Sequence, residues 1–285
     1  MKVNIVCGDK GWIYDQFIDA FRKYSKNTIV RNSKTKCAVT HFIPYYEYYN
    51  TDTQTTAWMS HQEHKNPLRK KFVDVAKEVD IAISHSHKYA YMLRNEHDLN
   101  NTVQIIPGVD LDKFKLRSVS RIKNDKIVVI YSGRSYTSSK RKNPKLLKKI
   151  SKLPFVDFRA SEGKLNLKNL PKFYHQGDVC VQPSTIEGGS MAVQESLACG
   201  VPIICMNDVG VANEFDAGVL QAKDDSHFMQ LLKQMHTSND HVVKWRDPKM
   251  MSQMRAQIEK QTWQKFVEEH DKIWNMINTK SWKES

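Results

Sequence analysis

The sequence predicts an α/β fold in two domains of similar size, on three observations. Short apolar β-type runs alternate with helical stretches from residue 2 to about 236, as expected of parallel strands joined by crossover helices. The alternation lapses in the polar stretch KLRSVSRIKND (115–125) and restarts with the apolar run KIVVIYSG (126–133). The chain has 285 residues, long for one domain and comfortable for two of about 100–150 residues each.

The elements follow in order. KVNIVC (2–7) reads as a first strand, and in WIYDQFIDAFRKY the residues Ile13, Phe17, Ala20, Phe21 and Tyr24 recur at helical spacing. KCAVTHF and TTAWMSH follow, then a helix near 67–78, the strand VDIAIS (79–84), a helix from 86 and TVQII (102–106). The second half repeats the scheme with IVVIYSG, a helix over 144–152, VDFRA, the helix LPKFYHQ, DVCVQPS, a helix after Gly189, VPIICM, GVLQ and a helix over 224–236. Trp263, Phe266, Ile273, Trp274 and Ile277 stripe a final helix. The expected organisation is an N-terminal domain over 1–112, a linker over 113–125 and a C-terminal domain over 126–262. The helix of 263–285 is expected to pack back on the first domain. Two Rossmann-like domains facing an interdomain crevice fit this pattern, with ligands at the carboxyl ends of the strands.

Composition narrows the function classes. A hydrophobic share of 40% with 10% aromatics is globular rather than disordered. The apolar runs IVVIY (127–131) and VPIIC (201–205) fall far short of the roughly 18 residues of a membrane span. MKVNIVCGDKG reads as a first strand rather than a signal peptide. Cys7, Cys37, Cys180, Cys199 and Cys205 are odd in number and sit in mostly apolar stretches, which points to buried free thiols in a reducing, cytoplasmic compartment. The 44 Lys and Arg against 31 Asp and Glu give +13, and such a balance implies an anionic partner. No acidic residue occurs from Lys126 to Val156. The bland reading of Lys145, Lys148, Lys149 and Lys152 is a solvated helix face.

The chemistry concentrates in EGGSMAVQESLACGVPIIC (187–205). Ser190 suits an N-cap, Met191 to Cys199 a helix, and Gly200 its terminator before Pro202. The amides of Gly188, Gly189 and Ser190 then lie at a helix N-terminus, where a phosphate is favoured. Glu187 and Glu195 on either side suit sugar hydroxyls, since a carboxylate accepts two hydrogen bonds from a vicinal diol. Sugar, diphosphate and ribose in that order describe a nucleotide-sugar; the alternative is a Glu-Gly-Gly turn as surface punctuation.

The stretch PSTIEGGSMAVQESLACGVPIICMNDVGVANEF resembles the Glu-x7-Glu signature of retaining GT-B glycosyltransferases of the family-four type. GDKGW, TTAWMSHQ, VDIAISHS, IIPGVDLDKF, VIYSGR with KRKNPKLL, and YHQGDVCVQPS match in order around it. The match runs to about residue 236 and is looser in the first half, where roughly 110 residues replace a usually larger acceptor domain. The resemblance implies that Glu187 holds the donor sugar, Glu195 the ribose, and the amides of Gly188, Gly189 and Ser190 the diphosphate. Arg134 matches the arginine that neutralises the diphosphate. Lys140, Arg141 and Lys142 compete for its partner, and the context KNPKLL favours Lys142. His61 matches the histidine that reaches the donor sugar, and Gly8 and Gly11 match the glycine loop after the first strand. His85 and His87 match polar helix-start positions, so capping or exposure is expected. His61-x-x-His64 and His85-Ser86-His87 lack further ligands at recognisable metal spacing.

The resemblance further implies retention by same-face attack without a metal, from a UDP-sugar or, less favoured, a GDP-sugar. For the acceptor, HFIPYYEYYNTD (41–52), HKNPLRKK (64–71) and the +13 charge suit a base in DNA, as for some viral glycosyltransferases. The rival acceptor is a lipid-linked or lipopolysaccharide one, reached from the periphery of an anionic membrane. A GT-B nucleotide-sugar epimerase and a catalytically silent binding module are the readings outside transfer.

Overall fold

The computed structural model describes residues 1–8, 13–62, 67–118, 126–134, 140–207, 209–237 and 245–279. The chain divides into two compact units, one made of Met1–Gly108 with Trp263–Ser285 and the other of Val109–Thr262.

The first unit is built on six parallel strands: β1 (Lys2–Val6), β2 (Thr28–Arg31), β3 (Val39–Phe42), β4 (Gln54–Met59), β5 (Ile81–Ser84) and β6 (Thr102–Gln104). Their order is β2-β1-β3-β4-β5-β6. Every residue of β3 and β5 is buried, as required where helices cover both faces of a parallel sheet. Helix α1 (Ile13–Tyr24) buries Phe17, Ile18, Ala20 and Phe21, the stripe that the periodicity predicts. Helices α2 (Leu68–Glu78) and α3 (His87–Glu96) complete the crossovers.

The second unit repeats the plan with β7 (Ile127–Tyr131), β8 (Val156–Ala160), β9 (Val179–Gln182), β10 (Ile203–Met206) and β11 (Val219–Ala222). They are ordered β11-β10-β9-β7-β8 and pair in parallel throughout. Helices α4 (Pro144–Ile150), α5 (Leu170–His175), α6 (Met191–Ala198), α7 (Asp225–Thr237) and α8 (Pro248–Glu259) complete the unit, α8 packing on α6. One strand and one helix go beyond the sequence expectation: β2 is only four residues and half exposed, and α8 carries a methionine-rich, largely polar sequence. The start of α8 is nevertheless well marked, since Asp247 accepts hydrogen bonds from the amides of Lys249 and Met250 and Pro248 opens the helix.

Over the described part of the expected linker, residues 113–118, the chain packs within the second unit. Phe114 and Arg117 are buried, and the Arg255 guanidinium of α8 donates to the carbonyls of Leu111, Phe114 and Ala198. Apolar anchoring and satisfied backbone carbonyls hold 109–118 to the second unit despite its polar sequence.

Helix α9 (Trp263–Asn278) belongs to the first unit. Trp263, Phe266, Val267, His270, Asp271, Trp274 and Ile277 are its buried residues, a stripe completed by His270 and Asp271 rather than by Ile273. Phe266 stacks on Phe17, and Trp274 packs on Phe21. The Asp271 carboxylate accepts hydrogen bonds from Ser25 Oγ at 2.6 Å, the Lys26 amide at 2.8 Å and Asn27 Nδ2 at 2.9 Å. Three donors compensate the burial of that charge.

This aromatic core also contains three buried histidines. His41 Nδ1 lies 2.8 Å from Thr56 Oγ1, to which Trp274 Nε1 also donates. His270 Nδ1 lies 2.8 Å from the Phe266 carbonyl, and His85 stacks on Trp58 with ring centroids 4.5 Å apart. Burial lowers the pKa of all three, His270 to about 4. In the unfolded chain they protonate near 6.5, so the unfolded state takes up protons first as pH falls and the unit loses stability below that value. Hydrogen exchange of the β3 and α9 amides should therefore accelerate by more than tenfold between pH 7.5 and 5, after correction for intrinsic rates; unchanged protection would contradict neutral burial.

Candidate active site

Sheet order locates the candidate site in the second unit. The chain leaves β7 for β8 on one side and returns to β9 on the other, and the carboxyl edge at such a reversal of strand order is where open α/β sheets bind ligands. Gly133 and Arg134 follow β7, and residues 183–190 follow β9 and lead into α6.

The 183–190 loop is fixed from two directions. The Glu187 carbonyl accepts from the Gly210 amide at 2.7 Å and the Gly188 carbonyl from the Val211 amide at 3.0 Å, tying the loop to the segment after β10. From the other side, the Arg141 carbonyl accepts from the Thr185 amide at 2.8 Å, and Arg141 Nη1 donates to the Ile186 carbonyl at 3.2 Å.

Glu187 Oε2 accepts from Arg141 Nη1 at 2.7 Å and from Lys142 Nζ at 2.5 Å. All three side chains are largely buried, at 22% exposure for Arg141, 17% for Lys142 and 14% for Glu187. Two cations on one partly buried carboxylate leave a local positive excess, an arrangement that attracts an anion. Of the three competing basic residues, Arg141 and Lys142 reach Glu187, while Lys140 is exposed. Asn143, in the left-handed region at φ +49°, ends the basic turn and caps α4 by accepting from the Leu146 amide.

Ser190 occupies the N-cap position of α6 in extended conformation, but its side chain makes no capping bond. Its hydroxyl instead accepts from Gln182 Nε2 at 3.0 Å. Among the described residues, the amides of Gly188, Gly189 and Ser190 donate to no protein acceptor. Three open N–H groups at a helix N-terminus suit an anionic ligand. The helix stops as expected, with Gly200 in the left-handed region at φ +69° after the C-cap Cys199.

Arg134 is exposed, and its side chain crosses Gly163 after β8. A Cβ at position 163, where φ is +65°, would lie 2.5 Å from Arg134 Nε. The positive φ favours glycine at 163, and the absence of a side chain there leaves the arginine its path.

Glu195 lies on the second turn of α6 and is 3% exposed. Its Oε2 accepts from the Tyr174 hydroxyl at 2.8 Å. Burial pushes its pKa up to about 8, against the smaller opposing effect of that hydrogen bond. Glu187 and Glu195 thus meet opposite environments, one ringed by cations and one held in an apolar interior by a single phenol.

The remaining expected residues lie in the first unit or outside the described chain. His61 follows β4 and is half-buried. Gly11 and His64 lie outside the described residues. Gly8 faces the Glu47 carboxylate, whose Oε1 would be 3.0 Å from an added Cβ. His87 opens α3 and is exposed. His85 corrects its expectation of capping or exposure: it is 2% exposed and stacked on Trp58. Its ring packs into the aromatic core against Phe17, Trp58 and Phe266. Among the described residues, no group of three His, Cys, Asp or Glu side chains is placed to hold a metal, and no helix is long and apolar enough to cross a membrane. The five cysteines are buried and free.

Comparison with known proteins bears on the sequence of residues 112–238 and on the fold of the chain. Residues 112–238 match the family model described as glycosyl transferases group 1, a segment containing Arg134, Arg141, Lys142, Glu187 and Glu195. No curated protein sequence gives a significant match. Among solved structures, the chain is similar to sucrose-phosphate synthase from Thermosynechococcus elongatus, with a TM-score of 0.75 and 14% identity over 98% of this chain and 100% of that one. It is similar to HepE of Anabaena in complex with UDP and glucose, with a TM-score of 0.70 and 10% identity over 96% and 99%. It also resembles TarM, with a TM-score of 0.63 and 14% identity, covering 83% of this chain and 54% of TarM. The architecture is the GT-B fold, two Rossmann-like α/β units with parallel sheets.

Proposed function

We propose that this protein is a retaining glycosyltransferase that moves a sugar from a nucleotide-diphosphate sugar, UDP-linked in preference to GDP-linked, to an acceptor hydroxyl. One observation carries the reading: Arg141 and Lys142 converge on Glu187 beside three open amides at the start of α6. The match of residues 112–238 to glycosyl transferases group 1 supports it, as does the UDP bound by the similarly folded HepE.

In this reading the diphosphate lies on the amides of Gly188, Gly189 and Ser190, with Arg134 and Lys142 as its cations. Charge grows on the leaving diphosphate as the glycosidic bond breaks, and these fixed donors stabilise it more strongly in the transition state than in the ground state. Arg141 stays on the loop it anchors, so Glu187 remains oriented toward a sugar hydroxyl when Lys142 turns to the phosphate. Glu195 accepts from the ribose. His61 and Gly11 are the first unit's candidates for donor contact. The acceptor attacks the face that the diphosphate leaves, and a donor phosphate oxygen takes its proton, so the anomeric configuration is retained.

Net charge bears on the acceptor. The +13 excess favours an anionic one, with a base in DNA as the first reading and a glycolipid at an anionic membrane as the second.

Two measurements test the proposal. Glu187→Ala and Arg134→Ala should each lower donor turnover by about 100-fold or more, the scale of losing one transition-state donor, with melting temperatures near that of the parent; near-normal turnover would remove that residue from the site. In co-sedimentation, duplex DNA but not anionic vesicles should carry the protein down at low salt. The converse would replace DNA by a membrane acceptor, and retention by neither would remove the anionic acceptor.

A further inference from the structure

Resting on the nucleotide-sugar reading above, a second residue enters the ribose end of the site. Tyr174, on α5, is 0% exposed, and its hydroxyl donates to Glu195 Oε2 at 2.8 Å. Its ring is wedged edge-on against Phe114 and Phe173, so the phenol oxygen has little freedom to leave the carboxylate. Among the described residues, Glu195 Oε1 receives no hydrogen bond. A carboxylate offers about four acceptor positions, and one donor leaves this one far from satisfied. Burying nearly all of the residue in that condition, with Oε1 left at the solvent edge, disfavours folding, whereas the buried Asp271 of α9 has three donors. A carboxylate required only for packing would be compensated as Asp271 is. The missing donors are those that a vicinal diol brings.

We infer that Tyr174 is a positioning residue for nucleotide recognition: by occupying Oε2 of Glu195, its hydroxyl fixes the carboxylate with Oε1 presented to the ribose hydroxyls. Tyr174 itself touches no part of the donor. It selects a nucleotide that carries both hydroxyls, because only these complete the hydrogen bonds of the carboxylate it holds. The same bond favours the ionised carboxylate, so its loss raises the pH needed for tight binding.

Calorimetric titration with UDP and with 2′,3′-dideoxy-UDP tests the inference. Tyr174→Phe should weaken UDP about tenfold, the scale of one hydrogen bond to a charged group, and leave the dideoxy compound unchanged. The pH midpoint of UDP affinity should move upward, since the bond that is lost favours the ionised carboxylate. In a Glu195→Gln background the same substitution should add no further loss. Equal weakening of both nucleotides, an unmoved pH midpoint, or an undiminished effect beside Glu195→Gln would reduce Tyr174 to a packing residue and overturn the inference. Should Tyr174→Phe fold poorly, the ratio of UDP to dideoxy-UDP affinity in Glu195→Gln takes its place: the ratio should fall below that of the parent, and an equal ratio overturns the inference. A parent protein that binds neither nucleotide contradicts the proposed function itself, an outcome distinct from all of these.

Discussion

Parallel strand pairing is the constraint on which the rest of this structure depends. A parallel strand can be followed by its neighbour only through a crossover, so successive loops return to the same edge of the sheet. In the second unit that rule brings the loop after β7, with Arg134, and the loop after β9, with Glu187, to the carboxyl edge. The reversal of strand order between them marks the edge where open α/β sheets bind ligands. Residues far apart in the chain become neighbours by topology, and local hydrogen bonds then refine their placement. Arg141 illustrates the refinement, since its backbone and guanidinium grip Thr185 and Ile186 while its charge meets Glu187.

The electrostatics of the site follow from contrasting neighbourhoods. Glu187 sits among cations, and Glu195 sits among apolar groups with one phenol. Two carboxylates eight residues apart therefore differ in what they offer: the first is a charged acceptor already compensated, the second an under-satisfied acceptor whose ionisation falls near neutral pH. Separation of this kind lets one loop and one helix serve different parts of a ligand. The first unit handles buried polar groups by another route, surrounding Asp271 with donors and keeping three histidines neutral within rings.

The α/β class is legible in the sequence because strand-helix alternation is a direct imprint of parallel pairing. The helix after Gly189 is equally plain, since its flanks carry Ser190 at one end and Gly200 with Pro202 at the other. What escapes is information carried by tertiary contact. Strand β2 is too short and exposed to leave a periodic trace. Residues 113–118 look like linker until Phe114 finds a core and Arg255 finds its carbonyl. His85 looks like a helix-start residue, yet its ring enters the aromatic core, a direction that spacing does not encode. At the candidate site, the positions of Glu187 and Glu195 can be read but not their partners: the turn that brings Arg141 as well as Lys142 to one oxygen, and the helix that brings Tyr174 to the other carboxylate, lie 21 to 46 residues away in sequence.

A crystal structure with a bound UDP-hexose tests the central claim most directly. The account predicts the diphosphate on the amides of Gly188, Gly189 and Ser190, the Lys142 ammonium moved from Glu187 onto it, and a sugar hydroxyl in the place that Lys142 vacates. A UDP-hexose bound elsewhere, or bound with the Lys142–Glu187 pair intact and the three amides open, would contradict it.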